Sequence, residues 1–154
     1  MRKVYLDRTQ MKTCTGIFLK DAEVILTGTT VYAMPVKDKN EEYQRFAKEY
    51  DIHFIFEDDV PAVDFYTVPL VEIFALVSAG GYIGSVGQPA DLEQDIPICY
   101  IDKEKKCYLA AANGKEFLEN VYQWKKYLIS YSEIEIFESL EEAKEKFELN
   151  ELNV

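Results

Sequence analysis

The sequence contains few of the side chains that catalysis and metal binding use most often. It has one histidine, His53, and three cysteines, Cys14, Cys99 and Cys107, which form no Cys-X-X-Cys motif. A single imidazole excludes a histidine-rich metal site and leaves one candidate histidine base. No local nucleophile motif surrounds any cysteine. We therefore expect no catalytic residue, no metal ion and no cofactor, and we expect reduced thiols, as in cytosolic proteins.

Positive charge is also scarce. The chain has 17 Lys and Arg against 28 Asp and Glu, which gives a formal net charge of −11. Binding to a phosphate backbone requires clustered cations, and the longest basic run, 103–106, is interrupted by Glu104. Nucleic acid and anionic membrane are therefore poor candidates for partners. The acidity fits either simple solubility or a surface that attracts a basic protein.

A long apolar run is missing as well. The least polar stretch, residues 68–87, is interrupted by Glu72 and by three glycines, so it favours buried strands over a membrane-spanning helix. The first residues read Met-Arg-Lys-Val-Tyr-Leu-Asp, which does not resemble a signal peptide. These features predict a cytoplasmic protein.

What the sequence does contain is enough apolar material for one core. Its 154 residues are 48% apolar, with 11 Tyr and 9 Phe. This length and composition predict a single α+β domain over residues 1–149, followed by a frayed C-terminal tail over 150–154.

Alternating β-branched and aromatic residues predict most of the domain to be strands. The predicted strands are 1–7 at a sheet edge, 17–19, 24–26 and 31–34 as a meander, 52–56, 64–66, 70–77, 82–86, a hairpin of 98–101 with 107–110, and 133–137. The hairpin would place Cys99 and Cys107 on neighbouring strands.

Three helices are predicted from their capping residues. Asn40 begins the first helix, and Asn113 begins a second helix that should end near Ser130. Ser139 and Glu142 have the spacing of a capping box at the start of a third. Each has apolar residues at the spacing of one buried helix face.

Glycines and carboxylates supply the remaining candidate sites. Gly80, Gly81 and Gly84 match neither a dinucleotide fingerprint nor a Walker motif, so they are interpreted as a structural turn with a close backbone approach. Acidic residues cluster at 57–64 and 91–95 without the spacing of an EF-hand, which favours a solvated loop or a partner surface.

The segment 69–128 carries a family resemblance. The run Val-Glu-Ile-Phe-Ala-Leu-Val-Ser-Ala-Gly-Gly-Tyr-Ile-Gly at 71–84 resembles the central strand pair of the SUKH superfamily, which includes the Smi and Knr cell-wall-synthesis regulators of yeast. Pro-Ile-Cys-Tyr-Ile-Asp at 97–102, Cys-Tyr-Leu-Ala at 107–110 and Lys-Glu-Phe-Leu-Glu at 115–119 are similar to the family's final hairpin and closing helix.

The resemblance implies a mostly antiparallel sheet flanked by helices, without a family-wide catalytic residue. Many bacterial SUKH proteins are immunity proteins, which bind and neutralise a cognate toxin, often a nuclease. Together with the charge of −11, this gives the leading hypothesis of an immunity protein that binds a basic toxin domain. The residues expected to contact the partner are Glu57, Asp58, Asp59, Asp64, Asp91, Glu93 and Asp95.

Two other functions are compatible with the sequence. One is a regulatory or scaffold protein in cell-envelope metabolism, like the yeast relatives. The other is a small hydrolase-like enzyme that uses His53 with a cysteine or a carboxylate. The scaffold function predicts a stable endogenous complex, and the enzyme predicts a pocket with His53 in its wall.

Overall fold

The computed structural model describes residues 2–9, 22–87 and 96–150. Several sequence predictions fall outside these residues. They are the strand at 17–19, Cys14, the carboxylates Asp91, Glu93 and Asp95, and residues 151–154 of the predicted tail.

Twelve strands lie within the described residues. They are β1 (Arg2–Asp7), β2 (Ala22–Thr27), β3 (Thr29–Val31), β4 (His53–Phe54), β5 (Tyr66–Val68), β6 (Val71–Leu76), β7 (Tyr82–Val86), β8 (Ile98–Ile101), β9 (Cys107–Ala111), β10 (Ile129–Ser130), β11 (Glu135–Phe137) and β12 (Leu149–Asn150). The helices are α1 (Glu41–Tyr50), α2 (Gly114–Glu119) and α3 (Leu140–Lys146), with short 3₁₀ helices at Val36–Asp38 and Val121–Tyr127.

The main sheet has the strand order β10-β9-β8-β7-β6-β3, and β4 pairs with β6 on the same edge as β3. Every pairing in this sheet is antiparallel except that of β3 with β6. The predicted α+β class with a mostly antiparallel sheet is therefore confirmed, as is the hairpin of β8 and β9.

Both faces of the main sheet are covered. Neighbouring residues of a strand point to opposite faces, so Phe74 packs with Phe117 and Trp124 on the helical face. Ile73 packs with Phe65 and Ile134 on the other face. This arrangement explains why β6 has no exposed side chain and is apolar at every position except Glu72.

The N-terminal strands differ from the sequence prediction. β1 is the central strand of a small parallel sheet in which it lies between β12 and β2, so its assignment to a sheet edge was wrong. β2 and β3 do not form a meander either, because β3 pairs with β6 of the main sheet. The turn between them is made at Gly28, whose φ of 114° favours glycine. These partners are distant in sequence, and local patterns do not reveal them.

The first helix was predicted correctly, and the second only in part. Asn40 caps α1 by accepting hydrogen bonds from the N–H groups of Glu42 and Tyr43. Asn113 caps α2 in the same way through Glu116, at 2.8 Å. The predicted helix to Ser130 was wrong, because α2 ends at Glu119 and the chain continues as a 3₁₀ helix and then as β10.

Trp124 anchors the 3₁₀ helix Val121–Tyr127 to the end of α1. Its indole N–H donates to the carbonyl of Tyr50 at the end of α1, at 2.8 Å, and its ring is 97% buried. The backbone of Gln123 leaves helical geometry immediately before it, with φ −137° and ψ 27°. A tertiary contact thus overrides the local helical pattern.

The third helix begins with the predicted cap. The Ser139 hydroxyl accepts a hydrogen bond from the N–H of Glu142, at 3.2 Å, and the Glu142 carboxylate accepts one from the N–H of Glu138. α3 packs over β5 and β11, which form a separate two-stranded sheet. No helix among the described residues is long and apolar enough to cross a membrane.

Candidate partner-binding surface

The acidic turn Glu57-Asp58-Asp59 exposes all three of its side chains. Two backbone hydrogen bonds fix it, one from the N–H of Glu57 to the carbonyl of Met34 at 2.9 Å and one from the N–H of Asp59 to the carbonyl of Phe56 at 3.0 Å. Phe56 itself is buried. The turn is therefore held firmly at the surface while its carboxylates stay in water.

A lysine side chain contacts this turn. The Nζ atom of Lys39 lies 2.6 Å from Oδ2 of Asp58 and 5.2 Å from the centre of the Phe56 ring. The hydrogen bond from Lys39 holds the pKa of Asp58 below its usual value. Within the described residues, no ion pair involves Glu57 or Asp59, so two of the three charges are not neutralised by a direct partner.

The first turn of α1 adds further negative charge beside the acidic turn. Tyr43 connects the two segments, because its ring packs edge-on against Phe56 with the ring centres 5.6 Å apart. Glu41 and Glu42 are exposed, and Glu42 pairs with Arg45 at 2.6 Å. We define the acidic face as Glu41, Glu42, Glu57, Asp58 and Asp59.

Asp64 has neighbours that differ from those of the acidic face. It lines a cleft of about 510 Å³ with Glu104, Lys105 and Glu138, and no residue of the acidic face lines this cleft. The Nζ atom of Lys105 lies over the ring of Phe65, at 5.1 Å. Asp64 thus lines a cleft to which Glu57, Asp58 and Asp59 do not contribute.

Gly80 and Gly81 lie where the chain turns between β6 and β7, and Gly84 follows within β7. Gly80 has a φ of 95°, and a Cβ atom on Gly81 would come within 2.6 Å of the Tyr100 side chain. Gly84 lies inside β7, where a Cβ atom would meet the backbone carbonyl oxygen of Glu72 at 2.7 Å. All three positions thus have a steric reason to be glycine, and none requires a ligand.

His53 belongs to a polar cluster centred on Asp51. The Asp51 carboxylate accepts hydrogen bonds from His53 Nε2, from the N–H and hydroxyl of Ser78, and from Lys125, with distances between 2.9 and 3.1 Å. Burial opposes the charge, but the bonds from Lys125 and Ser78, with that from His53, outweigh it and hold the pKa of Asp51 well below its usual value.

This cluster does not have the geometry of a catalytic triad. A nucleophilic serine requires its hydroxyl to donate to the imidazole, whereas the Ser78 hydroxyl donates to Asp51 at 2.9 Å. The His53 side chain is 46% exposed, and it lines none of the clefts described for this part of the chain. The described residues also contain no group of three His, Cys, Asp or Glu side chains arranged to hold a metal ion.

An apolar groove beside α2 was not predicted from the sequence. It has a volume of about 310 Å³ and lies between β9 and the 3₁₀ helix, with Phe117 and Trp124 in its wall. Tyr127 and Ile129 also line the groove and are more than half exposed. The sequence did not predict this groove because it predicted one continuous helix to Ser130. In the structure the helix ends at Glu119, and the chain that follows lies beside β9.

Comparisons of the chain with protein-family models, with curated proteins and with solved structures find no match.

Proposed function

We propose that the chain is a cytoplasmic protein that binds and neutralises a basic protein partner, such as a nuclease toxin domain, in the manner of an immunity protein. The observation that supports this most directly is the acidic face, whose exposed carboxylates flank the contact between the buried Phe56 ring and the half-buried Tyr43 ring. A nuclease presents cations to the phosphate backbone of its substrate. An anchored group of carboxylates can compete for the same cations.

The charge of the whole chain supports the same function. A net charge of −11 attracts a basic partner from a distance and raises the rate of encounter. At contact, Glu57 and Asp59 are available to cations of the partner, since no described residue forms an ion pair with either. Long-range attraction and short-range pairing thus favour the same class of partner.

Exposed apolar side chains border the acidic face and supply contact area. Val60 directly follows the acidic turn and is 51% exposed. Val36 is 45% exposed in the 3₁₀ helix that precedes Lys39, the residue that pairs with Asp58. Charges mainly increase the rate of association, whereas buried apolar contacts slow dissociation. The surface combines the two features that tight binding requires.

The first experiment is to capture partners with the purified chain from a lysate of its source organism, at low and at high salt, and to identify them by mass spectrometry. A captured basic protein is then purified and tested for nuclease activity with and without the chain. We expect salt to weaken the complex and an equimolar amount of the chain to inhibit the nuclease.

The surface is tested by reversing the charge of the acidic turn. The variant E57K/D58K/D59K should lose most of its affinity for the captured partner, by about 100-fold or more, because each close charge pair contributes at least ~1.5 kcal/mol. Isothermal titration calorimetry measures this loss. Circular dichroism verifies that the variant is folded.

The matched control applies the same change of charge at another surface. The variant E141K/E145K/E148K reverses three exposed carboxylates in and after α3. It should keep most of the affinity. Equal losses of affinity in both triple variants would mean that only net charge matters. Unchanged binding by E57K/D58K/D59K would refute the assignment of the acidic turn to the partner-binding surface. Capture of only a salt-insensitive envelope or metabolic protein would favour the scaffold function instead.

A further inference from the structure

Two cysteine thiols meet inside the main sheet. Cys99 of β8 lies opposite Leu109, and Cys107 of β9 lies opposite Ile101, so the cysteines are diagonal neighbours on the same face of the sheet. The register of the two strands shifts between Ile98 and Cys99. The two cysteine side chains are joined by a hydrogen bond.

The environments of the two thiols differ. Cys99 has no exposed surface. Cys107 is only partly buried, and it lines an open pocket of about 300 Å³ together with Lys105, Lys106 and Tyr131. A small reagent can therefore approach Cys107, whereas it reaches Cys99 only through Cys107 or after local opening.

The hydrogen bond also makes the thiols unequal as acids. The bond from Cys99 lowers the pKa of Cys107, which favours the nucleophilic thiolate. The same bond, together with burial, raises the pKa of Cys99 well above its ordinary value. The accessible thiol is therefore the more reactive one, and the buried thiol lies in contact with it.

We propose that Cys107 and Cys99 form a reversible dithiol–disulfide pair, in which Cys107 reacts first with hydrogen peroxide and Cys99 resolves the product. This site is independent of the acidic face. A partner is not required for the reaction, and the outcome of the partner experiments does not bear on it.

The chemistry balances in two steps. The Cys107 thiolate attacks one peroxide oxygen, the O–O bond breaks, and hydroxide leaves and takes up the proton lost by Cys107, which yields water and a sulfenic acid. The Cys99 sulfur then attacks the Cys107 sulfur, the S–O bond breaks, and the second hydroxide leaves as water with the Cys99 proton. Two thiols lose two electrons, and peroxide becomes two waters.

The experiment uses the variant C14S, which removes the third cysteine and keeps the pair. The folded protein is treated with a small excess of hydrogen peroxide, unfolded, alkylated and weighed by mass spectrometry. We expect both thiols to disappear together, so that neither cysteine is alkylated and the mass of the protein falls by that of two hydrogen atoms. Trypsin cleaves after Lys103, Lys105 and Lys106, so the disulfide appears as two linked peptides, which dithiothreitol separates.

Two matched variants assign the order of the steps. In C14S/C99S, Cys107 should stop at the sulfenic acid, which dimedone traps. In C14S/C107S, Cys99 should lose its thiol at least about tenfold more slowly than Cys107 does in C14S/C99S, because it is buried and lacks its partner. Circular dichroism identifies any variant that does not fold. If neither double variant folds, the peptide map of C14S still tests whether the disulfide forms.

Three results would overturn the pair. The first is that both thiols of C14S survive peroxide that oxidises free glutathione in the same tube. The second is that dimedone traps Cys107 in C14S and no linked peptides form. The third is that Cys99 oxidises in folded C14S/C107S as fast as Cys107 does in C14S/C99S.

Discussion

Asp7 is a buried carboxyl group that is held by hydrogen bonds from its neighbours. It is 1% exposed at the end of β1, and its Oδ1 atom accepts hydrogen bonds from the Tyr66 hydroxyl at 2.9 Å and from the Thr9 hydroxyl at 2.6 Å. Its Oδ2 atom has no partner among the described residues. Thr27 lies 2.7 Å from the same tyrosine oxygen. This network joins the small parallel sheet to β5.

The Tyr66 hydroxyl offsets part of the cost of burying Asp7. Replacing Tyr66 with Phe removes one of the donors that compensate the burial of Asp7, so the free energy of unfolding should fall by about 1–3 kcal/mol. Urea denaturation measures the change. The control is Tyr122→Phe, because the Tyr122 side chain is 66% exposed. It should change stability by less than about 0.5 kcal/mol. Equal effects of the two substitutions would show that the network contributes nothing.

The N-terminal ends of the helices were predicted best from the sequence. Asn40, Asn113 and Ser139 each accept the expected backbone hydrogen bonds, because a cap acts within four residues of itself. The hairpin of β8 and β9 was predicted for the same reason, since its two strands are joined by five residues. Features that depend on local geometry can be predicted from local sequence.

Elements that depend on distant partners were not predicted. β1 becomes a central strand only because β12 pairs with it from the far end of the chain. The helix expected to reach Ser130 breaks because Trp124 is held by the end of α1. The same distinction applies to the carboxylates expected to contact a partner, whose role stays a prediction. The turn at 57–59 is one local unit, whereas the position of Asp64 depends on a cleft built from three separate segments.

Asp51 joins three elements and yields a prediction that depends on pH. It ends α1 in a left-handed conformation, with φ 59°, and it binds Ser78 after β6 and Lys125 of the 3₁₀ helix. Its lowered pKa means that the ionised carboxylate stabilises the fold at every pH above the value for the unfolded chain, about 3.9. This stabilisation is lost as the pH falls below about 4.

Replacing Asp51 with Asn retains the shape and the tolerance for positive φ and removes the charge. The free energy of unfolding should fall by about 1 kcal/mol near neutral pH, a value reduced for the partial exposure of the side chain. The difference from the parent should shrink when urea denaturation is repeated at about pH 3. The control Asp59→Asn should differ little from the parent at either pH. A difference for Asp51→Asn that does not depend on pH would contradict the assigned role.

At the scale of the whole molecule, net charge opposes compactness. A chain with a net charge of −11 repels itself when folded, and this repulsion acts between charges many ångströms apart. Exposed ion pairs such as Lys39 with Asp58 act in the opposite sense, but each contributes less than about 1 kcal/mol. Salt screens both effects, so the sign of the salt dependence shows which is larger.

We expect repulsion to be the larger effect. Raising sodium chloride from about 0.01 M to 0.15 M shortens the screening length from about 30 Å to about 8 Å, so the free energy of unfolding should rise, on the order of 1 kcal/mol. Thermal and urea denaturation at both salt concentrations measure this. In E57K/D58K/D59K each exchange changes the charge by two, which leaves −5, and the rise should be smaller. A stability that falls with salt would mean that ion pairs dominate. An equal rise of the free energy of unfolding in the variant would mean that the effect of salt does not come from net charge. The net charge of the chain would then be a weak argument for long-range attraction of a basic partner.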